Sequence, residues 1–165
     1  MLKAAGKIFL LFVMLISCSA GQDGPNNCPN EWSCNNSNNY RYIPSPKTWV
    51  EAEIYCQNLQ PGGHLASVHS LEENNFIQQL VLEKAKSNVH IWIGASDTYK
   101  DRTFMWTDGT VWDFQKWYPG EPNNAGGREP CLQFNFGNPG IWNDSQCSGS
   151  LPFVCKVNNP LHYVG

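Results

Sequence analysis

The chain has 165 residues, with 11 Lys and Arg against 14 Asp and Glu, a formal net charge of −3 at neutral pH. This acidic balance excludes nucleic acid and anionic membrane surfaces as partners. Seven Trp, eight Phe and six Tyr give enough large apolar surface for a packed core, which excludes a disordered chain.

In chain order, Lys3 and Lys7 precede an apolar run from Ile8 to Ile16, which gives way to the small residues Ser17, Cys18, Ser19 and Ala20. This is the pattern of a signal peptide, residues 1–20, cleaved after Ala20. The run is far shorter than the roughly 20 apolar residues that span a bilayer. The expected product is therefore secreted, extracellular and free of membrane insertion. The alternative, a lipoprotein box with Cys18 acylated, also takes Cys18 out of the disulfide count. Losing Lys3 and Lys7 leaves nine basic side chains against 14 acidic ones, a net charge of about −5. Cys28, Cys34, Cys56, Cys131, Cys147 and Cys155 remain, an even number that predicts three disulfides in an exported chain. Parity leaves their connectivity open.

Residues 21–27 are polar and rich in Gly, Pro and Asn, a flexible N-terminus. Residues 35–39 read as a loop, and Asn35 opens the sequon Asn35-Asn36-Ser37, a candidate glycosylation site. Thr48 with Glu51 and Ser70 with Glu73 are capping boxes that predict two helices. The first runs to Leu59, where Pro61-Gly62-Gly63 stops it, and buries Ala52, Ile54, Tyr55 and Cys56. The second carries Phe76, Ile77, Leu80 and Val81 at helical spacing and fades near Lys86. Beyond Asn88 the short apolar runs 89–93, 104–106, 131–136 and 153–157 read as strands. Asp108-Gly109, between Trp106 and Val111, predicts a hairpin. Helices before strands imply one α+β domain with an antiparallel sheet, residues 28–157, followed by a short tail, 158–165.

From Trp112 to Pro130 the chain is crowded with Pro, Gly and Asn, and a loop this long inside a compact domain is usually functional. It holds Glu121, Asn123 and Glu129, and Asn143 and Asp144 follow soon after. Carboxylates mixed with amide carbonyls suit a hard cation with 6 to 8 oxygen ligands, hence Ca2+ in preference to zinc or magnesium. With the Asp144 carbonyl added, these residues supply about six ligands and leave room for a bound molecule. His64, His69, His90 and His162 have no spacing of a metal site or triad. No nucleophile stands beside a base, so an enzyme is not expected.

The chain resembles the C-type lectin domain family over residues 28–156. The resemblance rests on Cys28-Pro29 with Trp32, Trp92-Ile93-Gly94, Trp106-Thr107-Asp108-Gly109, Glu121-Pro122-Asn123, Trp142-Asn143-Asp144 and Phe153-Val154-Cys155. The tract from Gly63 to Glu73 is most similar to small secreted fish lectins and their type II antifreeze relatives. The resemblance implies the C-type lectin-like fold, with two helices, antiparallel sheets and a long loop that binds calcium and sugar. It places the calcium and carbohydrate ligands on Glu121, Asn123, Glu129, Asn143 and Asp144, pairs Cys56 with Cys155 and Cys131 with Cys147, and implies a cis peptide before Pro122. In the family, Glu-Pro-Asn accompanies mannose and N-acetylglucosamine, whereas Gln-Pro-Asp accompanies galactose.

The implied function is therefore a secreted calcium-dependent lectin for mannose-type glycans on cell or microbial surfaces, in innate defence. One shallow site binds a single sugar weakly, so avidity calls for a homo-oligomer. Trp117 and Tyr118, beside the loop, are candidate glycan contacts. Two departures from the family stand out. The second N-terminal cysteine is displaced to Cys34, so Cys28 is expected to bridge to it. Asn124 and Pro130 stand where an auxiliary calcium site commonly has acids, so one strong ion is expected. The alternatives on the same fold are an ice-binding antifreeze protein and a protein-binding venom or adhesion ligand.

Overall fold

The computed structural model describes residues 28–158; the expected signal peptide, the stretch 21–27, the tail from residue 159 and His162 lie outside the described residues. Eight strands and two helices follow in the order β1 (Ser33–Asn35), β2 (Asn38–Lys47), α1 (Trp49–Leu59), β3 (Gly63–Leu65), α2 (Leu71–Ala85), β4 (Ile91–Ser96), β5 (Met105–Trp106), β6 (Cys131–Phe134), β7 (Trp142–Ser145) and β8 (Leu151–Asn158). The main sheet runs β1-β2-β8-β4-β6-β7, with β3 on β8 and β5 on β4. Its ladders are antiparallel except where β4 meets β8 in parallel, at Trp92 and Phe153. This is the α+β C-type lectin-like architecture that the resemblance implied.

The two-residue period of a strand explains where the cores lie. On β4, Ile91, Ile93 and Ala95 join the cluster under α2, with Ile77, Leu80, Val81, Leu132, Phe134 and Trp142. Trp92 points the other way, to α1, and packs with Trp49, Ala52, Cys56, Leu65 and Phe153. On β8, Val154 takes the first face and Phe153 and Cys155 take the second. Both faces of the central sheet are therefore covered. Cys56–Cys155 ties α1 to β8 across 99 residues, Cys131–Cys147 closes the β6–β7 segment, and Cys28–Cys34 closes the N-terminal turn.

Several local expectations need correction. In α1 the Thr48–Glu51 capping box forms in both directions, but Ile54 is half exposed and Glu53 is buried in its stead. The buried stripe Trp49, Ala52, Glu53, Cys56 keeps helical spacing, and Glu53 lies on it because four donors await it. Oε1 meets His64 Nδ1 at 2.6 Å and Gln57 Nε2 at 2.7 Å, while Oε2 accepts from Leu65 N at 2.9 Å and Thr107 Oγ1 at 3.0 Å.

In α2 the Ser70 hydroxyl accepts from Glu73 N at 3.1 Å, yet Glu73 does not return to the cap. Its Oε2 accepts from His69 N at 2.7 Å, and Oε1 takes the buried Lys156 Nζ at 2.6 Å together with the Tyr40 hydroxyl. Burial, and then the Glu73 carboxylate, push the Tyr40 hydroxyl far above the usual tyrosine range and keep it protonated. The loop expected at residues 35–39 is a hairpin, in which Asn35 pairs with Asn38 across a turn with Asn36 at φ 53°. At Asp108-Gly109 the chain turns, but no strand follows. Asp108 Oδ1 accepts from Thr110 N at 3.0 Å and Thr110 Oγ1 at 2.6 Å, an Asx-type turn that leads the chain off the sheet and leaves Val111 74% exposed.

Candidate functional site

The segment after β5 is fastened before it reaches the acidic residues. Trp112, Phe114 and Trp117 pack around Trp142, and Trp112 and Trp117 also pack on Phe104. Two backbone bonds then lock it onto the start of β7: Trp142 N to Lys116 O at 2.9 Å and Tyr118 N to Trp142 O at 2.8 Å. Tyr118 meets Phe136 edge-on. Trp117 and Tyr118 therefore anchor the loop through packing, and both remain only partly buried.

Beyond this anchor, Glu121 N donates to Tyr118 O at 2.9 Å and the Glu121–Pro122 peptide is cis. The Asp144 carboxylate on β7 accepts two consecutive amides of the loop, Asn123 N at 3.1 Å on Oδ1 and Asn124 N at 2.6 Å on Oδ2. After the single turn Ala125–Gly127 the chain doubles back. Glu129 Oε2 accepts from Ala125 N at 2.9 Å, and Glu129 N donates to Asn124 Oδ1 at 3.2 Å. Register brings Asn143 opposite Gln133, where Asn143 Nδ2 donates to Gln133 Oε1 at 3.3 Å. That bond orients the amide with Oδ1 as its unused acceptor.

The electrostatics are those of an uncompensated acidic cluster. Glu121 Oε2 is buried and has no hydrogen-bond partner among the described residues. Burial first, then the neighbouring Asp144 and Glu129 carboxylates, raise the Glu121 carboxyl above the usual glutamate range. None of the ion pairs among the described residues involves these three acids. No three His, Cys, Asp or Glu side chains among the described residues converge into a metal cage by themselves. An oxygen ring here needs the amides of Asn123 and Asn143 as well. The donor chemistry fits a hard divalent cation: an orphaned buried carboxylate oxygen, two further carboxylates and two amides.

Sequence reasoning missed Asp97 and Asp101. They line a neighbouring cavity of about 570 Å³ with Asn124, Arg128 and Gln146. Burial, with Asp101 and Asp144 nearby, raises the Asp97 carboxyl, while Arg102 N donates to it at 2.7 Å. Isolated acids on a turn carry no sequence signal; the ladder that places residue 97 beside Pro130 supplies it, through Asp97 N to Pro130 O at 3.1 Å. His64 pairs with Glu53 and His69 with Asp113, and His90 lies 3.4 Å from Gln133. These three take structural partners.

The family model described as "Lectin C-type domain" matches residues 45–157. The chain belongs to the C-type lectin family. It is 48% identical over 149 residues to a protein named lectin from Pleurodeles waltl, an alignment covering 90% of this chain and 84% of that one. Among solved structures it is similar to the cow C-type carbohydrate-recognition domain of CD23, with TM-score 0.70 and 34% identity over 79% of this chain and 95% of that one. It is also similar to herring type II antifreeze protein, with TM-score 0.72 and 30% identity over 79% of this chain and 98% of that one. The C-type lectin family is one of carbohydrate-binding modules and not of enzymes. No described helix is long and apolar enough to cross a membrane.

Proposed function

We propose that this C-type lectin is exported and binds mannose- and N-acetylglucosamine-type sugars through one calcium ion held by Glu121, Asn123, Glu129, Asn143 and Asp144. The observation that carries the reading is the buried Glu121 Oε2, without a hydrogen-bond partner among the described residues, beside Asp144 and Glu129, an acidic cluster that a divalent cation would neutralise. Calcium supplies coordination positions for two adjacent sugar hydroxyls. Each hydroxyl would donate to a carboxylate of Glu121 or Glu129 and accept from the amide of Asn123 or Asn143. Asn143 has one amide N–H on Gln133 and keeps the other for sugar. The order Glu121-Pro122-Asn123 supports equatorial hydroxyls as in mannose, and the CD23 domain was solved in the presence of a GlcNAc2Man3 oligosaccharide.

The lectin domain is residues 28–157, with removal of 1–20 on export. Asn35 is the glycan attachment point, whereas Asn143, although in the sequon Asn143-Asp144-Ser145, is buried and stays bare. The ligands are cell-surface or microbial glycans, engaged by a homo-oligomer for avidity.

A glycan array tests the selectivity. The native protein is expected on mannosides and N-acetylglucosaminides, and Glu121→Gln/Asn123→Asp on galactosides; native protein that labels galactosides alone contradicts the reading. The herring antifreeze neighbour supports ice binding as a second reading. Thermal hysteresis in purified protein that binds no sugar would favour it.

A further inference from the structure

We propose that Asn124 is the positioning residue of the calcium loop, a brace that holds Glu129 and Asp144 in place before the ion arrives. The inference rests on the calcium reading above. Asn124 adopts the left-handed conformation, φ 47° and ψ 49°, which asparagine tolerates better than other side chains. In that pose it reaches three separate segments. Its backbone N–H donates to Asp144 Oδ2 on β7 at 2.6 Å. Its Nδ2 donates to Asp101 Oδ1, on the turn after β4, at 2.7 Å. Its Oδ1 accepts from Glu129 N, ahead of β6, at 3.2 Å.

The chemistry selects an amide. Glycine would keep the backbone pose but make neither side-chain bond. Aspartate would keep the acceptor for Glu129 N but turn a carboxylate against Asp101. The turn that follows has little stiffness of its own, because Gly126 and Gly127 both sit at positive φ with open space around them. What returns Glu129 to the loop is the pair of bonds Glu129 N to Asn124 and Ala125 N to Glu129 Oε2. A brace of this kind raises the fraction of ion-free protein that is already competent to bind, and apparent affinity scales with that fraction.

The test is calcium titration by calorimetry, with amide hydrogen exchange in EDTA, on the native protein, Asn124→Gly, Asp101→Ala and the double variant. The native protein is expected to bind one ion and to protect the Glu129 amide without it. Asn124→Gly should weaken calcium binding about tenfold and release that amide, and Asp101→Ala should do so in part. The double variant should be no weaker than Asn124→Gly alone, because one brace is being cut twice. Melting in EDTA should fall by no more than the few degrees that a tenfold loss corresponds to, and sugar affinity at saturating calcium should stay at native values, which a general loss of structure would not allow. Unchanged calcium affinity in Asn124→Gly, or purely additive losses, would overturn the brace while leaving the calcium reading intact. Native protein that takes up no calcium would sink both.

Discussion

Replacing Lys156 with Met would strand the Glu73 carboxylate inside the protein. Lys156 and Glu73 are 4% and 8% exposed and meet at 2.6 Å, and the ammonium also donates to Ser67 Oγ at 3.1 Å and Ser67 O at 3.3 Å. Removing one partner of a buried pair costs about 3–5 kcal/mol, because the remaining charge has lost its compensation. Glu73 keeps the His69 N–H and the Tyr40 hydroxyl as donors, which places the loss at the lower end, about 3 kcal/mol. For a domain of this size that lowers the melting temperature by about 10 °C. Adding Glu73→Gln removes the stranded charge and keeps an acceptor for Tyr40, so the double variant should recover more than half of the loss. Circular dichroism melts in EDTA with the disulfides intact measure both. A shift under about 2 °C for Lys156→Met, or a double variant less stable than the single, would refute the reasoning.

Glu121→Gln should raise the melting temperature of the ion-free protein at neutral pH. A carboxyl whose folded pKa is raised stabilises the fold fully below the ordinary glutamate range and loses that contribution as pH rises through its folded value. The native and Gln proteins should therefore converge near about pH 4, and saturating calcium should reverse their order at neutral pH; a native protein that melts higher in EDTA at neutral pH would contradict this. Cys131→Ser/Cys147→Ser opens a separation of 16 residues, for a loss of about 3 kcal/mol, and should also weaken calcium binding, since Glu129 and Asp144 stand next to the bridge. Cys28→Ser/Cys34→Ser opens only six and should cost about 2 kcal/mol with calcium affinity unchanged. Equal effects of the two on calcium titration would count against the location of the site.

Both helices were legible because their caps are local: Thr48 and Ser70 each hold a backbone N–H three residues on. The strands of β4, β6 and β8 were legible as apolar runs, since both faces of the sheet are covered. The hairpin of β1 and β2 was not, because Asn35 to Asn39 hold polar side chains at a sheet edge and only the partner strand β8 reveals the ladder. Glu73 read as the capping-box partner of Ser70 and Glu53 carried no signal, because their burial depends on donors from distant segments, among them Thr107 and Lys156. The candidate ligands were readable as oxygen donors at a family spacing. What sequence could not supply was the way Asp144 gathers the amides of Asn123 and Asn124, or the Oε2 of Glu121 left without a partner among the described residues, because both arise from contacts across twenty residues or more or from burial.

Retention of the protein on mannose resin, in millimolar calcium and then in EDTA, tests the central claim most directly. Retention with calcium and release by EDTA are expected, with Glu121→Gln/Asn123→Asp lost from mannose and gained on galactose resin. Retention that persists in EDTA, or flow-through on every sugar while calorimetry shows calcium bound, would contradict it.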